Sequence, residues 1–151
     1  MQDKIVKHPA TDTPLSAGAF RNLADAFAKM HIFPDVKDDH LEVEQRIAET
    51  RAFVEQHVEE PMWRERLLLA CDAIRDGVHA AVVLRFPKVA CSDGGRAIKA
   101  GESFWPNTLT GAEAEIYRVW QLEFAPRGFD IKARTIDNHP GEIELLLSWG
   151  R

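Results

Sequence analysis

The chain is poor in the features that define several large protein classes. It has two cysteines, Cys71 and Cys91, among 151 residues, which is too few for a disulfide framework. Its longest apolar runs, 67–71 and 78–84, are far shorter than the ~20 residues needed to cross a bilayer. The N-terminal residues also lack the apolar run of a signal peptide. These absences predict a cytoplasmic protein with reduced thiols and no membrane association.

Concentrated positive charge is also missing. The 19 basic residues are outnumbered by 24 acidic ones, the net charge is −5, and no basic block or stripe is present. Proteins that bind nucleic acid normally carry such a block, so we expect no DNA or RNA partner. The six histidines are scattered, no two have the spacing that places ligands on one helical face, and no Cys-x-x-Cys occurs. The sequence therefore predicts no metal site, and nothing in it indicates a cofactor.

What the chain does contain is typical of a folded globular domain, with 45% apolar and 28% charged residues. Residues 1–14 show no periodicity and are predicted to form a flexible N-terminal arm, which leaves 15–151 as a single domain. Apolar residues then recur at helical spacing, and capping residues and prolines bound the helices. Three helices are predicted: one from Ser16 to Pro34, one over 39–59, and one from Pro61 to Gly77.

Strand patterns are concentrated in the second half. A valine-rich run predicts a strand covered on both faces. Thr110 and Glu113 have the spacing of a capping box at the start of a helix. Two alternating runs predict an antiparallel hairpin, in which Glu142 and Glu144 would lie at a solvent-facing strand edge. The predicted elements are a strand over 78–86, a helix over 111–125, and a hairpin that joins 129–135 to 143–149.

Helices and strands are segregated along the chain, which indicates an α+β fold rather than a doubly wound sheet. We expect N-terminal helices packed on a small, mainly antiparallel three-stranded sheet that ends in a C-terminal β-hairpin. A sheet of three strands has two open edges. Pairing of such edges between two copies is one route to a homodimer.

Chemically useful side chains are densest in a long connection between the predicted strand and helix, loop 88–107. Long connections inside compact domains often carry function. One segment combines a thiol, a carboxylate, two glycines and a guanidinium: Cys91, Ser92, Asp93, Gly94, Gly95 and Arg96. Ser92 or Asp93 can cap a short helix that begins near Gly94, and the free amides at a helix start attract anions. Arg96 would add a bidentate grip on a carboxylate or phosphate.

This pattern predicts a non-catalytic module that binds a small anionic ligand or a partner through loop 88–107. Trp105 would form an apolar wall of the pocket or, alternatively, fold back onto the core. An ordinary capped turn without a ligand is the competing interpretation, because the segment matches no phosphate-loop signature. The predicted contact residues are Ser92, Asp93, Gly94, Gly95, Arg96 and Trp105.

Two other functions are consistent with the same residues. An enzyme would use Cys91 or Asp93 in this loop, with His139 from the hairpin turn as the assisting base, although no cysteine-hydrolase signature surrounds Cys91. A protein–protein adaptor would use the acidic helix 39–59, because residues 35–60 hold nine acidic and three basic side chains.

Overall fold

The computed structural model describes residues 5–9, 13–33, 37–136 and 138–150, except for the side chains of residues 37–39. Two parts of the predicted arm, residues 1–4 and 10–12, lie outside the described residues. The predicted end of the first helix at Pro34 also lies outside them. None of the described helices is both long enough and apolar enough to cross a membrane. The elements are α1 (Ala17–Ile32), α2 (Lys37–His57), α3 (Pro61–Arg75), β1 (Ala80–Pro87), α4 (Arg96–Ala100), α5 (Gly111–Val119), β2 (Asp130–Thr135) and β3 (Glu142–Ser148).

Local signals in the sequence set the starts of two helices. The Ser16 hydroxyl accepts a hydrogen bond from the Ala19 N–H at 3.1 Å and caps α1. Pro61 is the first residue of α3, a position where a missing N–H leaves no bond unmade. The Glu60 carboxylate caps the same helix by accepting from the Trp63 N–H at 2.9 Å. The predicted starts of α1 and α3 are therefore confirmed.

The sheet has the strand order β1-β3-β2, and both pairs are antiparallel. The predicted α+β class, the three-stranded sheet and the C-terminal hairpin are confirmed. β1 is an edge strand in which Val83 and Phe86 are buried while Arg85 is exposed, so the prediction that both of its faces are covered is wrong. A register shift between Val82 and Leu84 accounts for its poor alternation, because a bulge interrupts the period of two.

The core lies between the helices and one face of the sheet. Phe20 of α1 packs edge-to-face against Phe129 and Trp149, with ring centroids 5.0 and 5.4 Å apart. The Trp149 indole N–H donates to the Val78 carbonyl at 3.1 Å, which satisfies the polar atom of a buried ring. Cys71 is buried in this core, and the burial raises the pKa of its thiol to about 12. Cys71 therefore acts as a small apolar side chain.

The predicted capping box at the start of α5 is not formed. The Thr110 hydroxyl instead donates to the Ala90 carbonyl at 2.7 Å, and no side chain caps the helix. α5 is also shorter than predicted, because a π-helical turn over Trp120–Phe124 and a 3-10 turn over Ala125–Arg127 follow Val119. Thr110 therefore ties α5 to the loop after β1 rather than to its own first turn.

Glu144 does not face solvent as predicted, because β3 is the central strand. Its carboxylate lies between Arg85 of β1 and Arg134 of β2, at 2.8 Å from each, and its side chain is 5% exposed. The hydrogen bond from Arg134, together with the charges of both arginines, holds the pKa of Glu144 below its usual range. A buried carboxylate is thus stabilised by cations from both neighbouring strands.

Candidate functional site

A groove opens between the loop that follows β1 and the turn that joins β2 to β3. One wall consists of Lys88, residues 93–96 and Lys99, and the other of residues 135–136 and 140–143. The cavity volume is about 550 Å³, which lies in the range of pockets that hold small ligands. We call this feature the cationic groove.

Close backbone contacts hold the two walls of the cationic groove together. The Lys88 N–H donates to the Gly141 carbonyl at 2.8 Å. Gly95 has a φ of 85°, and a Cβ at this position would lie 3.0 Å from Ile143 Cδ1. A left-handed backbone and this close approach both favour glycine. The loop therefore lies directly against β3.

Three cations give the cationic groove its electrostatic character. Lys88, Arg96 and Lys99 line it and are exposed. Within the described part of the chain, none of the three takes part in an ion pair. Among the lining residues that the structure describes, Glu142 on the opposite wall and Asp93 beside Arg96 are acidic. The state of these two carboxylates decides how much positive charge is available to a ligand.

Asp93 is already committed to the loop itself. One carboxylate oxygen accepts from the Gly95 N–H at 2.9 Å, and the other accepts from the Ala97 N–H at 2.8 Å. The bond from Ala97 is the largest cause that holds the pKa of Asp93 below its usual value. The amides at the start of α4 therefore balance this charge, so that Glu142 is the other carboxylate among the lining residues that the structure describes.

The glycine amides are not available to a ligand. The Gly95 N–H is bonded to Asp93, and the Gly94 N–H donates to the Cys91 carbonyl at 3.1 Å. An anion in the cationic groove would therefore be held by the side chains of Lys88, Arg96 and Lys99 rather than by backbone N–H groups. This differs from a phosphate loop, in which backbone amides cradle the ligand.

The two residues that begin the segment do not line the cationic groove. Cys91 is 4% exposed and forms an isolated β-bridge with Leu109. Burial raises the pKa of its thiol, although a hydrogen bond with Thr108 acts in the opposite direction. The Ser92 N–H donates to the Thr108 carbonyl at 2.7 Å. Cys91 and Ser92 thus join loop 88–107 to the turn before α5.

Trp105 and His139 are also not among the lining residues of the cationic groove. Trp105 is half-buried and packs edge-to-face on Tyr117, with ring centroids 5.5 Å apart. His139 is exposed in the hairpin turn, where its main chain bonds to Ile136 and Glu142. The structure therefore brings Asp93, Gly94, Gly95 and Arg96 to one groove, and it places Cys91, Ser92, Trp105 and His139 elsewhere.

Sequence reasoning missed the two lysines of the cationic groove. Lys99 is three residues after Arg96, which is the spacing of neighbours on one helical face. The short helix predicted near Gly94 therefore implied that Lys99 lies beside Arg96. The position of Lys88 was harder to predict from the sequence, because it depends on the pairing of β1 with β3. That pairing sets Pro87 opposite Glu142 and so brings Lys88 to the hairpin turn.

Comparisons with protein-family models, with curated proteins and with solved structures give no match to this chain. The functional interpretation therefore depends on the geometry alone. Among the residues that the structure describes, no three His, Cys, Asp or Glu side chains come together in a way that could hold a metal ion. The groups gathered in the cationic groove are instead those that bind anions.

Proposed function

We propose that this protein is a non-catalytic module that binds a small anion, carrying a carboxylate or phosphate group, in the cationic groove. The observation that supports this most strongly is the convergence of Lys88, Arg96 and Lys99 on one concave surface without ionic partners in the described structure. Arginine and lysine bind carboxylate and phosphate through charge-assisted hydrogen bonds. Ile136, which is half-buried, adds apolar surface for the carbon part of a ligand.

Binding is favoured over catalysis because the possible reactive groups are already engaged. A buried thiol with a raised pKa forms little thiolate, and the thiolate is the nucleophile. Both carboxylate oxygens of Asp93 accept backbone hydrogen bonds, so Asp93 is poorly placed to accept a proton from a substrate. His139, the proposed base, is not among the groove-lining residues. A cytoplasmic location and a homodimer stay predictions from the sequence.

Calorimetric titration with inorganic phosphate, and separately with acetate, tests the proposal. We expect wild-type protein to bind at low salt, and Arg96→Ala or Lys99→Ala to weaken binding about tenfold, since a hydrogen bond to a charged group contributes about 1.5–3 kcal/mol. Arg21→Ala is the matched control, because it removes one exposed cation from α1, outside the groove. No heat of binding, or an equal loss in the Arg21 variant, would overturn the proposal.

The acidic helix is the second candidate. Glu42, Glu49 and Glu55 are exposed on α2, whereas Glu44 is paired with Arg75 of α3 at 2.8 Å. Exposed carboxylates of this kind favour a basic partner. Reversing the three exposed charges to lysine should abolish capture of a basic partner protein, whereas Arg96→Ala should leave it unchanged.

A further inference from the structure

The segment of residues 5–8, which we call the N-terminal strap, packs on the end of α2. Val6 forms an antiparallel bridge with Val58 and is fully buried. The Lys7 N–H donates to the His57 carbonyl at 3.1 Å, and the Glu59 N–H donates to the Ile5 carbonyl at 3.0 Å. The strap is thus hydrogen-bonded like a β-strand, although its partner is the turn after a helix.

Two charged side chains that follow α5 hold the strap from the other side. The Glu123 carboxylate accepts from the Ile5 and Val6 N–H groups at 3.2 and 3.3 Å. The buried guanidinium of Arg127 donates to the His8 carbonyl. The strap therefore lies between the end of α2 and the irregular turns after α5, and its position depends on polar contacts at both ends.

A pair of histidines forms the contact between the strap and α2. The rings of His8 and His57 lie edge-on with centroids 4.0 Å apart. The Phe53 ring packs on the same pair, 5.5 Å from His8 and 4.5 Å from His57. Two neutral imidazoles can pack in this way, whereas two imidazolium ions at the same distance repel each other.

The surroundings offer little charge to offset such repulsion. Among the described residues, three cations and three carboxylates contact the strap or its seat: Lys7, Arg64 and Arg127, and Glu59, Glu60 and Glu123. Each carboxylate is already bonded, Glu59 to Lys7 at 2.6 Å, and Glu60 and Glu123 to backbone N–H groups. Among these described groups, charging both histidines would leave two positive charges in excess.

The pKa of His57 is lowered, chiefly by burial and then by the charges of His8 and Lys7. A lowered histidine pKa means that the docked state disfavours the proton. Docking is therefore strongest at neutral pH and weakens as the pH falls through the range in which free histidine is protonated, about 6.5.

We propose that the N-terminal strap is a pH-sensitive element, which leaves its seat on α2 when His8 and His57 are both protonated. Release removes Val6 from its bridge with Val58 and uncovers an apolar surface that includes Phe53. This behaviour is independent of anion binding, because the strap and the cationic groove share no residues.

Backbone amide NMR of the full chain, at about pH 7.5 and about pH 5, tests the proposal. At the lower pH we expect the docked signals of Val6, Lys7 and Glu59 to be lost while the signals of β3 are unchanged. Titration of the His57 C2–H resonance in the same samples should place the protonation of His57 in the pH range of that loss.

Matched variants identify the groups responsible. The double variant His8→Gln, His57→Gln should keep the strap docked at about pH 5, and His139→Gln, which changes an exposed histidine in the hairpin turn, should behave as wild type. If the double variant is undocked at neutral pH, His57→Gln alone provides the test and should shift the release to lower pH. A strap that stays docked in wild type at the lower pH, or that is released at the same pH in the His8 and His57 variants as in wild type, would overturn the proposal.

Discussion

Several side chains that look reactive in the sequence have structural roles in the folded protein. Asp93 uses both carboxylate oxygens to cap α4, and Cys91 is buried beside Thr108. A carboxylate, a thiol and two glycines close together in a loop suggest a catalytic or binding site. A loop that must turn sharply and pack against β3 needs the same residue types. Within the described structure, the exposed cations Lys88, Arg96 and Lys99 take part in no ion pair.

Gly95 should be less tolerant of substitution than its neighbour. Gly95→Ala combines a left-handed backbone with a contact of 3.0 Å to Ile143 Cδ1, so we expect it to lower the free energy of unfolding by roughly 1–3 kcal/mol. Gly94→Ala is the matched control, because Gly94 has a φ of 71° and a Cβ added there would have nothing within 4 Å. Urea denaturation of both variants measures the difference. Equal losses would contradict a role for the Ile143 contact.

Glu144 should make stability depend on acid. Glu144→Gln leaves Arg85 and Arg134 without their shared carboxylate, and we expect a loss of about 1.5–3 kcal/mol in the free energy of unfolding at neutral pH. Because the folded pKa lies below the ordinary glutamate value of 4.5, the stabilisation is present above that value and is lost as the pH falls through the folded pKa.

Urea denaturation across the acidic range checks this prediction, and Glu142→Gln, an exposed position on the same strand, is the control. Wild type and Glu144→Gln should converge in stability at low pH. A difference that stays constant with pH would contradict the charge-based explanation.

At the scale of elements, the sequence predicts what depends on neighbours in the chain. Ser16 and Pro61 mark the starts of α1 and α3, and the two alternating runs give the hairpin. Thr110 has the right spacing for a capping box, yet its hydroxyl bonds to Ala90, a partner that the chain brings near only on folding. Trp105 in a loop could equally have faced a ligand, and the position of Tyr117 determines that it packs inward.

The parts of the groove and of the fold that were not predicted also depend on residues that are distant in the sequence. Asp93, Gly94, Gly95 and Arg96 are consecutive, so their place together follows from the sequence. Lys88 joins them through strand pairing. The N-terminal strap has only one buried residue that gives a signal, Val6, and its seat consists of groups at least 45 positions away, with no periodicity to indicate them.

Arg127 should be the main polar anchor of the N-terminal region. Its buried guanidinium donates to Thr13 Oγ1 at 3.0 Å and to the Leu15 carbonyl at 3.2 Å, as well as to His8. Arg127→Met keeps the volume but leaves buried acceptors without donors, so we expect a loss of roughly 2–4 kcal/mol in the free energy of unfolding. Thermal and urea denaturation measure it.

Arg127→Lys separates charge from geometry. Lysine restores a cation but cannot donate from a planar fork to several acceptors at once, so it should recover only part of the lost stability. Full recovery by lysine would show that charge alone matters at this position.

At the scale of the whole molecule, the order of strands in space differs from their order in the chain. β3 follows the other two strands in sequence, yet it lies between β1 and β2 and pairs with both. Four of the large, fully buried side chains of the described structure are on or beside it: Ile143, Leu145, Leu147 and Trp149. Neither β1 nor β2 has another strand partner in the described structure.

A chain that ends at residue 141 should therefore fail to fold cooperatively, rather than lose one strand. We expect its helical signal to be reduced and its thermal transition to be broad or absent in circular dichroism, because the core face of the sheet is removed. A chain that ends at Gly150 is the control and should unfold like the full chain. A sharp transition in the shorter chain would show that the helices form an independent core.

The central place of β3 also has a consequence for synthesis. The ribosome makes α1, α2 and α3 before β1, so these helices can begin to pack early. β1 then has no strand partner until about 55 further residues have been translated and β3 begins. The cationic groove needs the hairpin turn as one wall, so it cannot form before that turn has been made. Any ligand of the groove would consequently meet only chains whose translation has passed β3.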